Sequence, residues 1–178
     1  PPAIATFAAI LKKEGHKVQV FDTTYYAVDF GIDSDGSKEE KLNVVPYKEE
    51  MEKRNMRIKN SNWRDDLHKQ VEEFKPDLLA LSATEDMWEL GLKILEEIKE
   101  YKNKNNVPVI AGGVFPTFGT EICIKCDLVD LVCVGEGENT LIDLCKKIAN
   151  HEDYTNVTNL WVKKDGKLIK KNSISNPV

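Results

Sequence analysis

Val107-Pro108-Val109-Ile110-Ala111-Gly112-Gly113 is the stretch on which the fold turns. Its first five positions are apolar or proline and include three β-branched residues. That is the composition of a strand covered on both faces, and the glycine pair ends it. Immediately upstream, Trp88 to Tyr101 has the apolar spacing of an amphipathic helix. The same order of helix then strand recurs outward in both directions. Upstream it runs through Val71 to Pro76 into Asp77-Leu78-Leu79-Ala80-Leu81-Ser82. Further upstream a helix over Ala3 to Glu14, with its stripe of Ile4, Phe7, Ala8, Ile10 and Leu11, stops at Gly15. Val18, Val20 and Phe21 then form a short expected strand ending at Asp22. Downstream, a strand over Leu128 to Val134 leads into a helix over Thr140 to Asn150.

Strands apolar on both faces, separated by amphipathic helices, predict an α/β fold. Its core is a parallel sheet with right-handed crossovers and helices on both faces. The arrangement is flavodoxin-like, or Rossmann-like. Past His151 the pattern changes. Val157 to Val162 alternates, Lys164-Asp165-Gly166-Lys167 is a turn signal, and Leu168 to Lys171 completes a C-terminal β-hairpin. The expected division is an α/β domain over 1–150 and a hairpin with linker over 151–178. A densely charged stretch, 29–70, interrupts the repeat as an insertion or excursion. Helix is expected there over Lys48 to Arg57 and again from Trp63, with a loop over Gly31 to Lys41.

The chain has 178 residues, 41% of them hydrophobic and 31% charged, which suits one compact domain with a real core. Apolar runs such as Leu78 to Leu81 fall far short of the roughly 20 residues of a membrane span. With 25 basic and 30 acidic residues, the net charge of -5 gives no overall field to attract nucleic acid. Four cysteines are too few for a disulfide scaffold. No secretion signal opens the chain, so a cytoplasmic location and free thiols are expected. The sequence begins Pro1-Pro2 with no initiator methionine and reads as a piece of something longer.

Ligands of an open parallel sheet bind where the loops at the carboxyl ends of the strands converge. Four loops qualify: Asp22 to Tyr26, Ser82 to Asp86, Gly112 to Gly119, and Gly135 to Asn139. Ser82-Ala83-Thr84 offers two hydroxyls on a turn of small residues, although serine and threonine also cap helices. Gly112-Gly113 either admits a ligand against the backbone or makes a tight turn. Val114-Phe115-Pro116-Thr117 adds a rigid proline and another hydroxyl on the same rim. Gly135-Glu136-Gly137-Glu138 begins like a dinucleotide fingerprint, but threonine stands at 140 where glycine is required. Its two glutamates are either acid/base groups or acidic residues favoured at a helix start.

Cys123-x-x-Cys126 lacks the second half of a zinc site, and Cys133 and Cys145 fall on apolar faces, so packing is the expected role of all four thiols. His16, His68 and His151 have no partner at ligand spacing, which leaves no expected metal site. Neither a nucleophile elbow nor a phosphate-binding P-loop is present.

Taken in order, Pro1-Pro2, Ala8-Ala9-Ile10-Leu11, Gly15-His16-Lys17-Val18, Pro76-Asp77 into Ser82-Ala83-Thr84, Gly112-Gly113 with Pro116-Thr117, and Val129-Asp130 into Gly135-Glu136-Gly137-Glu138 carry a resemblance. Over about residues 1–150 the chain resembles the N-terminal cobalamin (B12)-binding domain of cobalamin-dependent radical SAM enzymes. Leu160-Trp161 and Asp165-Gly166-Lys167 are similar to the hairpin that leads such proteins into their catalytic barrel. The resemblance implies a five-stranded parallel sheet of order 2-1-3-4-5 whose central first strand lies upstream of Pro1. It implies cobalamin held over the carboxyl ends of the strands, with its nucleotide tail alongside the sheet. Ser82 and Thr84 would bond the tail, and Gly112 and Gly113 would let it pass. Gly135, Glu136 and Gly137 would line the far side. Ala83, Val114, Pro116 and Thr117 complete the implied cofactor-binding set. The D-x-H-x-x-G motif is absent, so the implied mode of binding uses no histidine ligand to cobalt.

By the same resemblance the chain is a cobalamin-binding module and is not catalytic alone. Its partner would be a radical SAM barrel of the same parent chain. S-adenosylmethionine and a 4Fe-4S cluster would bind in that barrel, since no C-x-x-x-C-x-x-C occurs here. The parent would be a methyltransferase, a cyclase or a related radical enzyme. Two alternatives remain open on sequence. One is a flavodoxin-like or receiver-like interaction domain without cofactor, with Asp22 or Glu85 as its strand-end acid. The other is a catalytic domain that uses Glu136 and Glu138. The cobalamin reading further expects Gly113→Leu to block the tail groove with only modest loss of fold, if the local φ permits a side chain.

Overall fold

The computed structural model of the chain describes residues 2–23, 26, 53 and 59–175. The first element, α1 (Pro2–Lys13), is followed by α2 (Trp63–Phe74), β1 (Leu79–Ser82), α3 (Glu85–Glu97) and α4 (Lys99–Asn105). Then come β2 (Val109–Gly112), two short helices α5 (Val114–Phe118) and α6 (Thr120–Lys125), β3 (Leu131–Cys133), α7 (Glu138–Ala149), and the hairpin β4 (Leu160–Lys164) and β5 (Lys167–Lys171).

The strands form one five-stranded sheet in the order β1-β2-β3-β4-β5. β1, β2 and β3 run parallel, with Leu79 opposite Val109 and Ile110 opposite Leu131. The hairpin joins the same sheet antiparallel to β3, placing Leu160 opposite Cys133. The sheet is therefore mixed, with its parallel part where the repeat of helix and strand predicts it.

Alternation along the strands divides the core into two layers. On one face Val109, Ala111 and Val132 pack with Trp88, Leu95, Cys123 and Ile124 from α3 and α6. On the other, Ile110, Leu131 and Cys133 meet Leu141 and Leu144 of α7, with Phe7 and Leu11 of α1 alongside. Leu144 and Leu160 have no exposed surface, and burying such a side chain contributes about 1.5–3 kcal/mol. A third cluster joins Trp63, Leu67 and Val71 of α2 to Ile98 between α3 and α4.

Helix ends follow local chemistry. The Asn62 side chain caps α2 by accepting from the Arg64 amide, and Lys75 closes that helix in the left-handed region at φ 52°. Asn106 does the same after α4 at φ 53°. Asp130 anchors the start of β2: its carboxylate accepts the Val109 amide at 2.8 Å and pairs with Lys102 at 3.0 Å.

Two expectations change. Residues 16–23 form no strand, and Val20 is 52% exposed. An apolar run becomes a strand only beside a neighbour that takes its backbone hydrogen bonds, and no described residue does so here. Within the loop expected over Gly112 to Gly119, Val114–Phe118 instead winds into α5, and α6 follows directly after it. The helix expected from Trp63 is present as α2. The loop over Gly31 to Lys41 and the helix over Lys48 to Arg57, save Lys53, lie outside the described residues. Among the described residues no helix is long and apolar enough to cross a membrane.

Candidate functional site

Parallel pairing puts the carboxyl ends of β1, β2 and β3 side by side, so the loops after Ser82, Gly112 and Cys133 share one rim. Hydrogen bonds stitch the three together. The Ala83 amide donates to the Gly112 carbonyl at 3.1 Å, and the Phe115 amide returns to the Ala83 carbonyl at 3.3 Å. The Gly135 amide then donates to the Thr117 hydroxyl at 3.2 Å. Because Thr117 accepts through its oxygen, its own O–H proton remains to donate elsewhere.

Each residue anticipated on this rim has a definite place. Ser82 and Thr84 are exposed on either side of buried Ala83, and Thr84 donates its hydroxyl to Asp86 in the first turn of α3. Gly113 and Gly135 are exposed, whereas Pro116 is fully buried and Gly137 lies inside, with Phe7 of α1 3.1 Å from where its Cβ would stand. Pro116 therefore acts through packing. Val114 is 63% exposed, and Phe118 at the other end of α5 is 88% exposed. Glu136 is exposed, and Glu138 occupies the first turn of α7, where a carboxylate complements the helix dipole.

The two glycines of the pair differ. Gly113 has φ 102° and ψ -169°, a conformation nearly confined to glycine. A Cβ on it would stand 2.9 Å from the Ala83 carbonyl oxygen. Gly112 is crowded by nothing closer than the Cys133 Cβ at 3.7 Å. Register sets Gly112 beside Ser82, and Ala80 lies on the same face as Ser82; Ala80 and Ser82 are both exposed. Small residues thus floor an open stretch of sheet leading to the rim. Gly113→Leu, expected from sequence to cost the fold only modestly if the local φ permits a side chain, would drive its side chain into the Ala83 backbone at a φ that does not permit one, so the fold itself would suffer.

Cys133 flanks Gly112 on the same face of the sheet, within 3.8 Å of a Cβ placed on Gly137, and burial pushes its thiol up. Cys123 and Cys145 are pushed up to about 11 by burial, so all three thiols stay protonated near neutrality. The histidines lie away from the rim. His68 meets Glu97 at 3.0 Å, His16 follows the last turn of α1, and His151 lines a depression of about 580 Å³ with Lys75, Asn106 and Tyr154. That depression sits at the amino ends of the strands, opposite the edge where the functional loops of a parallel sheet gather. Among the described residues no cluster of three or more His, Cys, Asp or Glu side chains could hold a metal ion.

Sequence reasoning missed Asn159. It is 4% exposed, stands at φ 65° just before β4, and bonds the Glu136 carbonyl from behind the rim. Asparagine's tolerance of left-handed backbone was the only sequence signal for it.

The chain is similar to several known proteins. An uncharacterized methyltransferase of Pyrococcus horikoshii is 31% identical over 108 residues, 58% of this chain and 22% of its own length. The anaerobic magnesium-protoporphyrin IX monomethyl ester cyclase of Synechocystis is 34% identical over 65 residues, 36% of this chain and 13% of its own. The structure of the radical S-adenosylmethionine methyltransferase TsrM from Kitasatospora setae, with tryptophan substrate and a SAM analogue bound, superposes with a TM-score of 0.64. That likeness covers 97% of this chain and 27% of TsrM at 17% identity, and it shows a shared fold. The chain spans less than a third of the length of each of these proteins. The model of the B12 binding domain matches residues 48–144, more than half of the 178, and the chain belongs to that family.

Proposed function

We propose that the rim of Ser82–Thr84, Gly112–Thr117 and Gly135–Gly137 holds cobalamin, and that the chain serves as the cobalamin-binding module of a larger radical SAM enzyme. The single observation that carries the placement is the open floor of Ala80, Ser82 and Gly112 running up to that rim. Small side chains there leave backbone and hydroxyl groups within reach of a ligand that lies flat on the sheet. Ser82 and Thr84 supply hydroxyls for the polar edge of the nucleotide tail. Exposed Gly135 and Glu136 line the opposite side, and exposed Val114 supplies apolar surface for the corrin ring. The residues suit a ligand rich in amides better than a small anion, for which a cleft with a fixed positive charge would be needed.

The places of His16, His68 and His151, all away from the rim, support binding without a histidine ligand from this chain. Bound cobalamin would supply a cobalt centre able to carry a methyl group. S-adenosylmethionine and a 4Fe-4S cluster belong to the parent's radical SAM barrel in this reading. The methyltransferase and the cyclase among the relatives support a parent of one of those two kinds.

Titration with cobalamin and with cobinamide, which lacks the nucleotide tail, tests the placement. Loss of the tail is expected to weaken binding by at least about tenfold. Equal affinity for the two corrinoids would contradict a groove built for the tail.

A further inference from the structure

Asn159 joins two segments that the sequence keeps apart. Its side-chain oxygen accepts the Ser175 amide at 2.6 Å, which fixes the orientation of the group and turns its nitrogen towards the rim. That nitrogen donates to the Glu136 carbonyl at 3.0 Å and to the Ser175 hydroxyl at 3.1 Å. The main chain repeats the tie: the Asn159 amide donates to the Ser173 carbonyl, and its carbonyl accepts from the Val134 amide. The Thr140 hydroxyl, which also bonds the Thr158 carbonyl, closes on the same Glu136 oxygen. The segment that leaves the hairpin is thereby fastened to the loop after β3. It lays Ile174 over that loop, with Cγ2 3.8 Å from the position of a Cβ on Gly135 and the side chain 62% exposed.

We propose that Ser173–Ser175 forms a fourth side of the corrinoid site, with Asn159 as the positioning residue that clamps it to Gly135–Gly137 and Ile174 as a contact for the ligand. This rests on the functional reading above. A solvated isoleucine beside an exposed glycine costs the free chain nothing to keep and offers apolar area to whatever covers Gly135. The clamp also makes the shape of the loop depend on how the segment after β5 is held.

Two variants of the 178-residue chain test this. Ile174→Ser alters an exposed side chain, so its urea midpoint should match the parent's while its affinity for hydroxocobalamin falls about tenfold. Asn159→Gly keeps the left-handed backbone accessible and deletes the amide. It should weaken hydroxocobalamin binding by a similar factor. It should also speed hydrogen exchange across Gly135–Gly137 by about tenfold or more in the ligand-free chain. Parental affinity in Ile174→Ser overturns the contact, and unchanged exchange in Asn159→Gly overturns the clamp. A parent chain that takes up no hydroxocobalamin counts against the functional reading alone, and the exchange rates still decide the clamp.

Discussion

Gly113 is held by the backbone of a neighbouring loop. The resemblance implies that the glycine pair is a passage for a ligand, and at Gly112 a Cβ would meet nothing closer than the Cys133 Cβ at 3.7 Å. At Gly113 the space is already taken by Ala83, and the backbone lies at φ 102°. Gly113→Ala should therefore cost about 1–3 kcal/mol of stability, the usual penalty for such a conformation in another residue. Urea denaturation of the ligand-free chain measures it. A parental midpoint would mean that the two loops part easily. The hydroxyls at 82, 84 and 117 and the glycines at 112, 113 and 135 were all legible as a rim, because short side chains at strand ends signal close approach. Asn159 was not, since its partners lie at Glu136 and Ser175 and only the folded chain brings them together.

At the scale of elements, strands β1 to β3 and helices α1, α3 and α7 were readable because each carries a full period of apolar residues. The short helices α5 and α6 were not. Val114–Phe118 spans five residues, too few to show a period, and its proline at the third position looks like a loop although the first turn of a helix accepts it. The run at Val18 to Phe21 failed in the opposite sense: its composition suits a strand, yet a ladder needs a neighbour. Cysteines on α6 and α7 give these elements a pH signature. Burial raises Cys123 and Cys145 to about 11 from 9.0, so the folded chain keeps protons that the unfolded chain releases. Their stabilisation is complete below about pH 9 and is lost as pH rises through about 11. Urea midpoints of the parent should thus fall between pH 9 and 11 more steeply than those of a variant with both cysteines changed to alanine. Parallel curves would show that neither thiol is shielded in the fold.

The whole molecule combines a three-stranded parallel sheet, which gathers its loops at one edge, with an antiparallel hairpin that extends the sheet and returns the chain to that edge. The parallel part and the hairpin were each readable. Their union in one sheet was not, because only the antiparallel ladder between β3 and β4, running from Leu131 with Val162 to Cys133 with Leu160, establishes it. That union brings Ser173–Ser175, which lie beyond the matched span 48–144, to the rim. The most direct test is to incubate the purified chain with hydroxocobalamin, remove free corrinoid by gel filtration, and record the visible spectrum of the protein peak. The account predicts a coloured peak whose spectrum carries no histidine-cobalt signature. A colourless peak from a chain shown to be folded would contradict it.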